Sequence, residues 1–172
     1  MSRLIDDLLD VSRIVRGKVR LQSETCDLMS LLNQVARDFE PLLADSGLRL
    51  VVDVPDERCW IKGDSTRLSQ IVSNLLQNAN KFTDQGGEVR LTTTVRPDES
   101  KVLLKVADTG IGMSSETLRR VFDAFSQADS SLARSKGGLG LGLALVKGLA
   151  ELHGCWFCSA WHSSRLPRLP LD

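Results

Sequence analysis

Along residues 64–83 the apolar positions fall in one stripe and the polar positions in another. Leu68, Ile71, Val72, Leu75, Leu76, Ala79 and Phe82 recur at the three-and-four spacing of a core-facing helix. Arg67, Gln70, Asn74, Asn78 and Lys81 form the second stripe, polar throughout. A solvated face usually carries Glu and Lys pairs. Asn is a mediocre helix former, because its amide competes for backbone hydrogen bonds. Two Asn one turn apart fit either a plain solvated face or a face with a task, and this stretch alone does not separate them.

The same periodicity predicts a helix over residues 2–16, with Leu4, Leu8, Val11 and Val15 at coiled-coil spacing and Ile5, Leu9 and Ile14 widening the stripe. Such a terminal amphipathic helix packs on its own domain or on a second copy. Gly17 marks its break. A strand is predicted over 18–26, where Val19 and Leu21 alternate with Lys18, Arg20 and Gln22. A second helix over 28–45 follows from Leu28, Leu31, Leu32, Val35, Phe39 and Leu42, with Asp27 as N-cap and Pro41 placing its last turn in question.

From Gly47 the period changes to two. LRLVVDV and CWIKG read as strands, and Asp64 as the next N-cap. EVRLTTTV and KVLLKVAD, joined by RPDES, read as a hairpin. A short helix over 116–122 and a last one after GGLGLG complete the pattern, the latter with Leu141, Leu145, Leu149 and Leu152 turned inward. Strands and helices mix without regular βαβ alternation. This predicts an α+β two-layer sandwich, a mixed β-sheet with helices on one face.

Length and charge narrow the classes. With 172 residues the chain holds one good core, or one domain and a short appendage. A formal net charge of zero gives no bulk attraction to nucleic acid or anionic lipid. No apolar run reaches membrane-spanning length, and MSRLIDDLLD is too acidic for a signal peptide. Four thinly spread cysteines suit a reducing compartment. The expectation is a cytoplasmic chain, or the cytoplasmic piece of a larger one.

Two glycine clusters bracket an irregular segment: DTGIGM at 108–113 and GGLGLGL at 137–143. Neither is a P-loop or a dinucleotide fingerprint. Glycines before a helix let backbone amides approach an anion at the helix N-terminus, though alone they equally suit a hinge. Their order decides between these readings. DSTRLSQIVSNLLQNANKFT, DTGIGM, VFDAFSQADSS and GGLGLGLALVKGLAELHG resemble, in sequence, the N box, first glycine box, F box and second glycine box of the catalytic, ATP-binding domain of sensor histidine kinases. That domain belongs to the wider superfamily of gyrase, heat-shock chaperone and mismatch-repair ATPases. LIDDLLDVSRIVRGKVRL is similar to the end of the dimerisation helix that precedes the domain, and the wording of the later boxes is typical of hybrid kinases.

The resemblance divides the chain into a dimerisation-helix stub (1–17), an ATP-binding domain (18–154) and an atypical tail (155–172). It implies ATP and Mg²⁺ as ligands. Asn78 would supply its side-chain carbonyl to Mg²⁺, Asn74 would hold a metal-bound water or a phosphate oxygen, and Lys81 would reach the phosphates. Asp108 would accept from the adenine amine, and Gly110 and Gly112 would let the backbone pass close to the base. Gly138, Gly140 and Gly142 would present amides to phosphate. Residues 113–136 would form a lid anchored by Phe122 and Phe125, with Arg134 or Lys136 as candidates for the γ-phosphate. The implied reaction is transfer of the ATP γ-phosphoryl to a histidine and then to an aspartate of a response regulator's receiver domain. Homodimerisation through the stub helix is implied for the full-length protein. Hydrolytic relatives carry Glu at the position of Asn74, so transfer is favoured over the alternative of ATP hydrolysis; a non-catalytic interaction fragment is a third reading.

Two features depart from the family. The phosphoacceptor histidine motif, resembling H-E-[LI]-R-T-P, is absent, since the only histidines are His153 and His162. After Gly154 the family pattern gives way to CWFCSAWHSSRLPRLPLD, which holds two of three Trp, two of four Cys and two of five Pro. This composition suggests a frameshifted or truncated reading. His153, Cys155, Cys158 and His162 could supply zinc ligands, but the spacing is tighter than in zinc fingers, and an incidental tail is the simpler account. A redox role for the CxxC lacks a thioredoxin-like setting.

Overall fold

The computed structural model describes residues 2–99, 101–124, 126 and 140–155. Their elements run α1 Ser2–Val15, β1 Glu24–Asp27, α2 Leu28–Asp45, β2 Arg49–Asp53, β3 Trp60–Gly63, α3 Ser65–Phe82, β4 Glu88–Arg96, β5 Lys101–Asp108, α4 Ser115–Arg120 and α5 Gly142–Leu152. A 3₁₀ turn, Pro97–Glu99, links β4 to β5. Among the described residues no helix is long and apolar enough to cross a membrane.

Both sequence-predicted aspartate caps form, and each does more than cap. Asp27 accepts from the Met29 N–H at the start of α2 and also from the Cys59 N–H, both at 3.2 Å. Asp64 accepts from the Arg67 N–H at 3.1 Å and from the Gln22 N–H at 2.9 Å. The second bond explains a departure from the sequence reading. The strand predicted over 18–26 is confined to Glu24–Asp27, because the Gln22 amide goes to the cap of α3 instead of to a ladder. Pro41 is carried inside α2, which runs on to Asp45. Pro41 and Arg37 are both exposed, so water can serve the carbonyl that the ring leaves without an amide.

The strands form two sheets. β1 and β3 make an antiparallel ribbon, while β2 lies parallel to β4 and β4 antiparallel to β5. Val89 and Leu91 of β4, with Val102, Leu104 and Val106 of β5, turn toward α2 and α3. This is the mixed sheet with helices on one face that the sequence predicts. α3 is the central helix, because it serves two cores. Val72, Leu76 and Ala79 pack toward α2 and the sheet. Leu68, Ile71 and Leu75 pack toward α5 and α1, against Val11, Leu141, Leu145, Val146 and Leu149.

α1 therefore docks on its own domain. The approach is close: a Cβ on Gly148 of α5 would sit 2.6 Å from Cγ2 of Ile14. Leu152 departs from its predicted inward position and is 39% exposed. At that level the contact with the start of α3 is made by His153 instead.

Candidate functional site

The polar stripe of α3 splits in two. Its first half belongs to α1: Arg67 meets the Asp10 carboxylate at 2.6 Å, and Gln70 donates to the same oxygen at 3.1 Å. Burial pushes the Asp10 carboxyl up, but the hydrogen bonds from Arg67 and Gln70 and the arginine charges prevail and hold it below its usual range. The second half carries Asn74, Asn78 and Lys81. The side-chain Nδ2 of Asn74 is buried without a hydrogen-bond partner, an unusual state for a buried donor. Lys81 sits 4.6 Å from the centre of the Phe82 ring, and burial depresses its ammonium below the usual lysine value.

α5 brings its N-terminus to this half. A Cβ on Gly142 would lie 3.7 Å from Nδ2 of Asn78, so backbone and amide are neighbours. The capping position is Leu141, which makes no side-chain cap. Gly140, just before it, has φ +69°, a conformation that favours glycine. An α-helix leaves its first amides without intrahelical partners, and the capping residue Leu141 offers them no side-chain acceptor. The result is the positive end of a helix dipole set beside the Asn78 carboxamide, with Asn74 and Lys81 one turn to either side on α3.

The turn after β5 is joined to the other side of α3's C-terminus. Asp108 Oδ1 accepts from the Gly110 N–H at 2.9 Å, and the Ile111 N–H donates to the Phe82 carbonyl at 3.1 Å. A Cβ on Gly110 would fall 2.9 Å from the Phe82 carbonyl carbon and 2.7 Å from Asp108 Oδ1, so the backbones touch where only glycine fits. Thr109 supports the turn by accepting from the Glu88 N–H at 2.9 Å. Asp108 is exposed, with one carboxylate oxygen holding the Gly110 amide. Beyond it, Ile111, Gly112, Met113, Ser114, Ser115 and Leu118 line a groove of about 500 Å³.

Asn78 and Gly142 thus meet at one end of the α3–α5 contact, with Asn74 and Lys81 on the same stretch of α3, Gly140 just before α5, and Asp108 and Gly110 in the β5 turn against the end of α3. Gly112 has φ +68° and lines the groove, and Phe122 follows α4, half-buried. Phe125, Gly138, Arg134 and Lys136 lie outside the described residues, as do Cys158 and His162. The glycines of the turn are legible in the sequence, whereas Ile111, Leu118 and Thr109 join them only in the fold. The apolar positions inside and after DTGIGM were the available signal. His153 of the zinc alternative has both ring nitrogens engaged, one by the Asp64 N–H and one by the Leu149 carbonyl. Among the described residues no group of three His, Cys, Asp or Glu is placed to hold a metal.

Comparison with known proteins meets the same segments. The family model of the histidine kinase-, DNA gyrase B- and HSP90-like ATPases matches residues 63–168, from the end of β3 into the tail of altered composition. The chain is similar to the autoinducer 2 sensor kinase/phosphatase LuxQ of Vibrio cholerae, 38% identical over 151 residues, covering 87% of this chain and 18% of that protein. It is similar to the sensor histidine kinase GacS of Pseudomonas protegens, 41% identical over 154 residues, covering 88% of this chain and 17% of that protein. It resembles the crystal structure of full-length ShkA in complex with AMPPNP, with a TM-score of 0.74 at 34% identity, covering 88% of this chain and 31% of that one. The chain spans less than a fifth of the length of these two curated relatives. It belongs to the histidine kinase-, DNA gyrase B- and HSP90-like ATPase family, as an ATP-binding catalytic domain of the sensor histidine kinase kind.

Proposed function

We propose that this chain binds Mg²⁺–ATP between α3 and α5 and presents the γ-phosphoryl to a histidine of a dimerisation domain. The observation that carries the proposal is the meeting of Asn78 with the uncapped start of α5 at Gly142. Phosphoryl transfer asks for positioning and charge neutralisation rather than covalent help, and the site offers those two things. The residues also fit Mg²⁺. Asn78 offers a hard amide oxygen, and the unpartnered Nδ2 of Asn74 is a donor that would take a phosphate oxygen or a metal-bound water as its acceptor. When bound, Mg²⁺ would neutralise phosphate charge.

The chain's own groups do the rest. Asp108, with Oδ1 held by Gly110, accepts from the exocyclic amine of adenine through Oδ2, a contact guanine does not return. The groove from Ile111 to Leu118, which follows Asp108 in the chain, offers the base mostly apolar surface. The α5 amides and Lys81 take the phosphates. Asn74 can donate to a phosphate oxygen but cannot take a proton from water, so hydrolysis is disfavoured. In the transfer step the bond between the γ-phosphorus and its bridging oxygen breaks, ADP leaves with that oxygen, and a bond forms from an imidazole nitrogen to phosphorus. Onward passage to an aspartate of a receiver domain, and dimerisation through the helix to which α1 belongs, complete the proposed role in the parent protein.

The test is the thermal midpoint with and without Mg²⁺–ATP. A ligand that binds only the folded state adds about 2.7 kcal/mol at a hundred times its Kd. A Mg²⁺-dependent rise, lost in Asn78→Ala, is expected. Incubation with a dimerisation fragment bearing an H-E-x-R-T-P-type histidine should then yield acid-labile, base-stable phosphate on that fragment. A cooperative transition with no shift, and no label, would refute the reading.

A further inference from the structure

We infer that His153 is a positioning residue that sets the axial register of α5 against α3, and with it the spacing between Asn78 and the amides at the start of α5. The inference rests on the nucleotide reading above, because the spacing it sets is that of the proposed phosphate site. α3 and α5 run antiparallel. The start of α3 meets the end of α5 at His153, and Asn78 meets Gly142 at the opposite end. Between them the seam is apolar, Leu68, Ile71 and Leu75 facing Leu141, Leu145, Val146 and Leu149. Burial of this kind resists separation of the helices but is non-directional, so it constrains sliding weakly. Directional bonds are needed to fix the register.

His153 supplies them. Its Nε2 faces the backbone N–H of Asp64 at 3.1 Å, and its Nδ1 faces the carbonyl of Leu149 at 2.8 Å. One partner is a donor and the other an acceptor, so the ring carries its proton on Nδ1 and accepts at Nε2. The ring thereby joins the last turn of α5 to the residue that caps α3. That residue is itself anchored: Asp64 is 7% exposed, and its carboxylate holds the amides of Gln22 and Arg67. The space is matched to the ring as well, since a Cβ on Gly63 would come within 3.3 Å of the imidazole Cδ2 and 3.1 Å of Leu68 Cδ1. α5 spans 11 residues, about 16 Å at the rise of an α-helix. A helix is stiff along its axis, so a pin at one end fixes the amides at the other.

Two substitutions separate this role from simple helix capping. His153→Asn keeps a donor near the Nδ1 position for Leu149 but is too short to reach Asp64. His153→Gln reaches the Asp64 N–H with its carbonyl oxygen and gives up the Nδ1 donor. Each variant of the 172-residue chain is titrated with Mg²⁺–ATP by calorimetry, and amide hydrogen exchange over 142–146 is followed without nucleotide. His153→Asn is expected to weaken Mg²⁺–ATP by about tenfold, the scale seen when an outer-shell partner is lost, and to speed exchange over 142–146, while His153→Gln stays within about twofold on both. Wild-type affinity and exchange in His153→Asn, or an equal loss in both variants, would overturn the inference. If the wild-type chain takes up no Mg²⁺–ATP, the nucleotide reading fails, and the exchange comparison still judges the pin.

Discussion

Asp10 of α1 and Arg67 of α3 form an ion pair at 2.6 Å with both side chains largely buried, 13% and 25% exposed. Gln70 completes the cluster, accepting from Arg67 at 2.7 Å and donating to Asp10 at 3.1 Å. A partly buried, hydrogen-bonded pair differs from a surface pair, because removing one partner leaves the other charge poorly solvated. Asp10→Ala is therefore expected to cost about 2 kcal/mol in urea unfolding. A double-mutant cycle with Arg67→Ala should return most of that as coupling. A cost within about 0.5 kcal/mol, as for an exposed pair, would mean that α1 does not dock on the domain in solution.

Acid should weaken the fold through Asp10 and Asp64. For both, burial pushes the carboxyl up, and hydrogen bonds with the Arg67 charge outweigh it and hold it below its usual range. A carboxylate whose folded value is depressed contributes stability that is fully present above its unfolded value of about 3.9. That stability is lost as the pH falls through the lower, folded value. Urea midpoints should hold between pH 7 and about 5 and drop as the pH falls below about 4. Asp64→Asn keeps a good N-cap but removes one titrating group, so its acid slope should be shallower. An unchanged slope in Asp64→Asn would show that this carboxylate is not held as described.

Gly110 and Gly142 separate packing from ligand approach. Alanine at 110 drives a methyl against the Phe82 carbonyl and Asp108, an overpacking expected to cost about 1–3 kcal/mol and to move the turn. Alanine at 142 meets only ordinary contact with Asn78. In a helix it should leave stability unchanged or raise it by up to about 1 kcal/mol. If the α5 amides cradle phosphate, Gly142→Ala should nonetheless weaken Mg²⁺–ATP, because the new methyl stands beside Asn78. A stable Gly142→Ala with full affinity would place the phosphates elsewhere.

What the sequence disclosed and what it hid follow from the range of the interactions. Asp27 and Asp64 were legible as caps because capping is local, a carboxylate three or fewer residues from its amide. The hairpin of β4 and β5 was legible by alternation and the short RPDES link. The second bond of each cap was not, since Gln22 and Asp64 are 42 residues apart, and that bond shortened β1. The Asn stripe was visible as a pattern, but only tertiary packing divides it into a half that holds α1 and a half that meets α5. His153 stood out in sequence as a possible metal ligand. Its partners are backbone groups, one of them 89 residues away, and no residue pattern encodes those.

Lys81 gives the site an alkaline limit. Burial disfavours its ammonium in the free protein, so it loses its proton below the usual lysine value. A bound phosphate favours the charged form and raises that value. By linkage, Mg²⁺–ATP affinity is full below the free-state value and falls as the pH rises through it. Stability of the nucleotide-free domain moves the other way: a lysine whose folded value is depressed loses a penalty when it deprotonates, so this contribution to stability rises over the same window. The chain has no tyrosine, which leaves that window less crowded. Lys81→Met should weaken Mg²⁺–ATP at neutral pH by about tenfold or more, as expected for a charge-assisted bond. It should also abolish the alkaline fall. Lys81→Arg, charged throughout, should keep affinity near neutrality and lose the fall. A wild-type affinity that stays level up to pH 10 while both variants match it would remove Lys81 from the phosphate site.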